Sequence, residues 1–561
     1  MRSLPRSASV RCCVLLAVTA VLILLSSGSF ASAYSARPKL IVVIVIDQFR
    51  GDYLERYRER FGDGGFRLLL DRGANFTECN YDYANTRTAP GHATLFTGAY
   101  SNGHGIAANE WWDPKKKKIV TSVEDDDTQL VGLATPDTMS ATVPGASPHN
   151  LLADTLGDEL KLATQGQSRV FSLSLKDRAA VLPGGFAADA AYWIDPKSGV
   201  WVTSTYYRSD LPKWAQDFNA GNRAGKYWDR DWKNSNGDVL RSTAHRKSTS
   251  KDGSDAGFYE VIGATPFANE YELEFAKELV IYENLGAGHA TDLLAISLSA
   301  NDILGHQVGP DSPEMAAMAL ALDRELADFF TFLGHQVGLA DLWIALSADH
   351  GVSALPDAAK KLHIPAANLG AGKLEAEINS MLTARFSPGH AASYIKLDYP
   401  IAWLDRDAFA AGHVKERDAE TAVGDAMKQA GLRDYITKSQ LAEGAVPATP
   451  LGRKFLNSYS PEGGWYVMGV PDPYTVGPAK GTDHASPYTY DTHVPLAFYG
   501  LPFRAGTYRT HAEPVDLAVT LASLLGINAP THAVGRVLTE ALAAPHHPEN
   551  PAGLPTEKLP Q

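Results

Sequence analysis

The sequence predicts an α/β fold: a mostly parallel central sheet with helices on both faces, plus inserted cap segments. Three observations predict it. Apolar, β-branched runs at 40–46, 292–298 and 342–347 read as strands buried on both faces, as in a parallel sheet. Helical stretches separate the strands, the rhythm of layered α/β proteins. Each run is soon followed by an acid, Asp47, Asp302 or Asp349, and ligands in such sheets bind beyond the carboxyl ends of strands.

The chain begins with Arg2, Arg6 and Arg11 before an apolar run from Cys12 to Leu25, then Ala31-Ser32-Ala33. That pattern reads as a secretory signal peptide over 1–33, cleaved near Ala33. The run is shorter than the ~20 residues of a membrane span. The expectation is a periplasmic or secreted protein with no membrane span in the mature chain. Only Cys79 would remain, so no intramolecular disulfide forms. Losing the three arginines moves the net charge from −13 to −16, which argues against tightly bound nucleic acid.

The elements follow in order. The strand at 39–46 ends at Asp47, and 65–72 reads as a helix. Pro90 suits the first turn of a helix that stops at Gly98. A helix at 150–162 precedes a strand at 169–174. Residues 185–265 lack clear periodicity and read as surface elaboration. A helix at 266–285 leads to the 292–298 strand. Ser312 and Pro313 start another helix, through Phe332, before the 342–347 strand. Residues 355–480 break the rhythm and read as an inserted cap domain. A strand at 494–499 and a helix at 514–525 complete a core of 34–354 and 481–545. The tail at 546–561 reads as frayed.

Asp47, Asp302, His306, Asp349, His350 and His484 all lie near strand ends. Their mixed oxygen and nitrogen donors suit zinc, and six are too many for one tetrahedral ion, so they divide over two Zn²⁺. Taken singly, each has an ordinary explanation: a capping aspartate, or a pair on one helical face. A nucleophile is needed between the ions. Thr88 stands just before the helix opened by Pro90, where free amides and positive potential meet a phosphate. Thr88 could equally be a plain helix cap, and Thr86 is a rival nucleophile.

The motifs Val45-Ile46-Asp47, Thr88-Ala-Pro-Gly-His92, Asp302-x-x-x-His306, Asp349-His350-Gly351 and Thr482-Asp483-His484 resemble the type I phosphodiesterase/nucleotide pyrophosphatase branch of the alkaline phosphatase superfamily. The resemblance covers nearly the whole mature chain, and is greatest to the threonine-nucleophile bacterial alkaline phosphatases. It implies one zinc on Asp302, His306 and His484, and another on Asp47, Asp349 and His350, completed by Thr88. It matches Asn109 to an asparagine that binds a phosphoryl oxygen, and Lys176 and Arg178 to a pair held over the phosphate. The activity implied is hydrolysis of small phosphate monoesters through a phosphothreonine on Thr88. The alternative is a phosphodiesterase or nucleotide pyrophosphatase on the same two-zinc site. Two cations over the phosphate favour the more highly charged monoester. A sulfatase would need Cys or Ser in place of Thr88. A zinc-stabilised binding protein would tolerate loss of a ligand or of the nucleophile, and none is missing.

Overall fold

Leu40–Ile46 is buried at every position. In the computed structural model, which describes residues 37–113, 115–133, 143–249, 253–387 and 392–543, this strand is the middle of the sheet. It pairs in parallel with Asp292–Leu298 on one side and Leu342–Ser347 on the other. Val170–Ser174 and then Ala190–Ile194 extend the parallel set beyond Asp292–Leu298. Five strands therefore run one way. The register sets Ile46 beside Leu298, Val45 beside Ser347 and Ser297 beside Ser174. Their carboxyl ends thus open on one edge.

Strands of mixed direction flank this core. His493–Tyr499 pairs with Leu342–Ser347 and with Ala74–Asn80, and Gly506–Tyr508 closes that edge. Trp201–Ser204, Glu124–Val131 and Pro144–Ala146 complete the other, for eleven strands in all. The sheet is mixed around a parallel centre. Ala190–Ile194 and Trp201–Ser204 are buried throughout, so part of the 185–265 stretch is core rather than surface elaboration. Its tryptophans and tyrosines hid the strand period. One group of helices, Thr88–Thr97, Leu156–Ala163, Asp177–Gly184 and Asp516–Leu525, packs together, and Pro266–Tyr282 packs with Pro313–Gln336 and Ala300–Val308.

Local chemistry sets the helix ends. The Ser312 hydroxyl accepts from the Met315 N–H and Pro313 is the first helical residue. A Thr155–Asp158 capping box starts the Leu156–Ala163 helix, so the helix expected at 150–162 begins six residues late. Thr88–Thr97 is buried at all ten positions and ends at Gly98, in the left-handed conformation at φ 66°, where glycine has no Cβ to clash.

Within 355–480, Ile395–Asp398, Ile401–Leu404, Tyr466–Val470 and Asp434–Thr437 form a separate four-stranded sheet. Helices Ala371–Phe386 and Glu416–Gln429 contribute Ile378, Leu382, Val423 and Met427 to a core of its own with Tyr394, Leu404 and Val467. Apart from Arg37 and Ala543, the described residues form one unit, Pro38–Leu542. The expected signal peptide at 1–33 and frayed tail at 546–561 lie outside the described residues.

Gly91 seats the Thr88 helix on the sheet. A Cβ there would stand 2.3 Å from the Asp349 carbonyl oxygen. Gly91→Ala is expected to destabilise the fold by about 1–3 kcal/mol, the usual cost of overpacking. Urea denaturation measures it, and an unchanged midpoint would mean the helix does not bear on Asp349.

Candidate active site

The strand ends deliver the acids together. Asp47 follows Leu40–Ile46, Asp349 follows Leu342–Ser347, and Asp302 lies on the Ala300–Val308 helix just past Asp292–Leu298. All three are buried, at 0%, 0% and 4% exposure. His306 follows Asp302 one turn on, with Nε2 3.1 Å from its Oδ1. His350 Nε2 lies 3.5 Å from Asp47 Oδ1 and 3.4 Å from Asp349 Oδ2. His484 arrives from the 481–487 loop and stacks on His350, ring centroids 3.7 Å apart.

The three histidines share one orientation. Nδ1 of His306, His350 and His484 lies 2.9, 2.9 and 2.7 Å from the carbonyl oxygens of Thr482, Gly351 and Thr86. A carbonyl only accepts, so each Nδ1 carries a proton and each Nε2 is turned toward the acids, as in a metal-bound histidine. Burial holds His350 down to about 4. Burial, with His350 and His306 nearby, holds His484 well below its usual range. Burial would lower His306 too, but Asp302 outweighs it and raises His306 to about 10.

The donor set fits metal ions. Asp47 Oδ1, Asp349 Oδ2 and His350 Nε2 are buried without hydrogen-bond partners, an arrangement costly unless something else satisfies them. Ligand atoms of Asp302, His306 and His484 lie within 4.8 Å of one another, and so do those of Asp47, Asp302 and His350. Asp302 thus reaches both groups, where the resemblance assigns it to one.

Thr88 is the first residue of its helix, 1% exposed. The Thr86 hydroxyl, by contrast, donates to the Ser486 carbonyl and accepts from the Ser486 N–H. Asn109 accepts through Oδ1 from the N–H of Ala89, the residue after Thr88, at 2.8 Å. Arg178 lies in the first turn of Asp177–Gly184.

Lys176 reaches into the cluster of acids. Its Nζ sits between Asp47 Oδ2 at 2.5 Å and Asp302 Oδ2 at 2.6 Å, among the carboxylates rather than clear of them. Burial opposes its charge, but Asp302 and Asp47 outweigh burial and hold the ammonium protonated. Two adjacent buried carboxylates draw in the nearest cation.

Sequence reading missed two supports. Gln48, held at φ 63°, donates its N–H to Asp349 Oδ1 and its side-chain amide to Asp302 Oδ1. His92 meets the Thr88 carbonyl through Nδ1 and Ser297 Oγ through Nε2, with Nδ1 3.4 Å from Asp349 Oδ2. Their positions directly after Asp47 and in Thr88-Ala-Pro-Gly-His92 were the available signals.

A sheet whose parallel strand ends gather acids and histidines beside a helix-start threonine places the protein in the alkaline phosphatase superfamily. The chain belongs to the type I phosphodiesterase / nucleotide pyrophosphatase family, whose sequence profile matches residues 41–448. Alkaline phosphatase PhoV of Synechococcus elongatus is 34% identical, over 90% of this chain and 93% of its own. A Myroides odoratus protein named calcium-transporting ATPase is 32% identical, over 94% and 98%. Alkaline phosphatase PafA of Elizabethkingia meningoseptica is 33% identical, over 90% and 95%. A crystal structure of wild-type PafA matches with a TM-score of 0.77 at 31% identity, over 90% of this chain and 99% of that one.

If metal ties these donors together, a chelator should lower the melting temperature and a divalent cation restore it. Ligand at a hundred times its dissociation constant stabilises by about 2.7 kcal/mol. Calorimetry with and without chelator reads the effect, and superimposable traces would count against metal at this site.

Proposed function

We propose that the protein is a zinc-dependent phosphatase that hydrolyses small phosphate monoesters through a phosphothreonine on Thr88. The observation that carries this reading is the convergence of Asp47, Asp302, His306, His350 and His484 near the helix that Thr88 starts, where the Thr88 carbonyl meets His92 beside Asp349. Two of the three relatives bear alkaline phosphatase names. Another PafA crystal structure carries substitutions at a threonine, an asparagine, a lysine and an arginine, the residue types and order of Thr88, Asn109, Lys176 and Arg178.

Asp302, His306 and His484 would hold one zinc ion, and Asp47, Asp349 and His350 the other. Bound there, the pair would lower the pKa of a coordinated hydroxyl and offset charge on the phosphate and the departing oxygen. The chain's own groups do the rest. The helix start orients Thr88 and offers amides to the phosphate. Its hydroxyl oxygen gives up its proton to solvent and attacks phosphorus as the bond to the ester oxygen breaks, and that oxygen leaves as the alcohol with a proton from solvent. Water then attacks the same phosphorus, releasing phosphate and restoring the Thr88 hydroxyl. The Asn109 amide and the Arg178 guanidinium hold non-bridging oxygens, and Lys176 serves there once its carboxylate partners are engaged elsewhere. Two cations match the dianionic monoester better than a diester monoanion. The 1–33 segment supports export to the periplasm or beyond.

Thr88→Ala is expected to lower turnover of 4-nitrophenyl phosphate by roughly a thousand-fold or more, with metal content by elemental analysis near two per chain. Unchanged turnover would remove Thr88 from the mechanism. Lys176→Ala combined with Arg178→Ala should cost about ten- to hundred-fold more on 4-nitrophenyl phosphate than on bis(4-nitrophenyl) phosphate. Equal losses would favour the diesterase reading. ATP joins the substrate panel because of the Myroides odoratus name.

A further inference from the structure

Leu175 to Arg178 lead from the Val170–Ser174 strand into the Asp177–Gly184 helix. Beside this turn the sheet continues through Ala190–Ile194, Trp201–Ser204 and Glu124–Val131, with Trp193 opposite Val202 in the ladder. A cleft of about 350 Å³ opens there. Leu130, Leu175, Trp193, Pro196, Val202 and Tyr259 form its apolar lining. Lys176 and Arg178 stand in the same wall, and its acids are Asp177 and Asp195. Lys176, in that wall, bonds Asp47 and Asp302 through Nζ. The cleft is therefore continuous with the residues assigned to phosphate.

We propose that this cleft is the subsite for the organic group of the ester, and that it takes an uncharged aromatic or bulky apolar alcohol. The inference rests on the phosphatase reading and names its substrate class. A phosphate is held by charge and hydrogen bonds, while its organic group gains affinity only from surface it shields from water. Trp193 and Tyr259 supply aromatic surface at low entropic cost. Asp177, paired with Arg178, and Asp195 offset the two cations of the wall, so the cleft has no net positive charge to hold a second phosphate or a carboxylate. Nucleoside polyphosphates fit the cleft poorly for that reason. Trp193, Val202 and Tyr259 all come from the 185–265 stretch, which thereby supplies selectivity as well as core.

Phosphonates that the enzyme does not cleave test this as pure binding. Phenylphosphonate and methylphosphonate compete with 4-nitrophenyl phosphate on the metal-loaded full-length enzyme. Phenylphosphonate is expected to inhibit roughly ten-fold more tightly, the worth of shielding one ring. Tyr259→Ala, which opens the cleft, and Leu130→Trp, which fills it, should each bring the ratio of the two inhibition constants to within about two-fold. Equal inhibition in the unaltered enzyme, or a ratio unmoved by both variants, overturns the subsite while leaving the phosphatase reading intact. A Leu130→Trp loss confined to bis(4-nitrophenyl) phosphate would assign the cleft to a second ester group and overturn it likewise. An enzyme that hydrolyses no phosphate ester refutes the phosphatase reading, and the subsite falls with it.

Discussion

Three carboxylates buried side by side repel one another, and most of this architecture serves to hold Asp47, Asp302 and Asp349 together regardless. The five parallel strands force the meeting, because their register brings the carboxyl ends to one edge. No water-exposed face relieves the charge. The surroundings respond with donors: Gln48 bonds both Asp302 and Asp349, His350 turns its N–H to Asp349 Oδ1, and Lys176 lies between Asp47 and Asp302. Asp349 remains raised well above the ordinary carboxylate range, by burial and then by Asp47. A site so charged is costly for a fold that only needs stability, since apolar packing would serve it better. Its cost is intelligible where multivalent cations are to be held.

The same logic explains the histidines. Each spends Nδ1 on a carbonyl of the backbone beside it, so ring orientation follows from loop conformation. The loops are in turn pinned to the helix start. Thr86 offers its carbonyl to His484 and its hydroxyl to Ser486, two residues before Thr88. His92, one turn into the helix, ties the Thr88 carbonyl to the strand residue Ser297. Thr88 and the clustered acids and histidines thus share one hydrogen-bonded frame, in which a shift of one displaces the others.

Legibility in the sequence followed the range of the interaction. Leu40–Ile46, Asp292–Leu298 and Leu342–Ser347 were readable because complete burial leaves an uninterrupted apolar run. The Ser312–Pro313 start was readable because capping is local. Ala190–Ile194 was not, since an aromatic-rich strand with polar neighbours carries no clean period. Candidate ligands could be gathered by their places after strands, but the position of Lys176 depends on which carboxylates flank it in space. Gln48 offered only its neighbour Asp47 as a clue, because its partners lie 254 and 301 residues away.

Arg87 shows how the inserted sheet enters this frame. It is the cap residue immediately before Thr88, 5% exposed. Its guanidinium reaches out of the α/β core to the Asp398 carboxylate at 2.6 Å and to the carbonyls of Asp398 and Tyr399. Those residues form the turn between Ile395–Asp398 and Ile401–Leu404. A buried guanidinium needs several acceptors at once, and the 355–480 segment supplies three of them. Its sheet is therefore fastened to the backbone that positions Thr88, and not only to the rim of the site. Placement of that segment and placement of the hydroxyl are consequences of one buried charge and its partners.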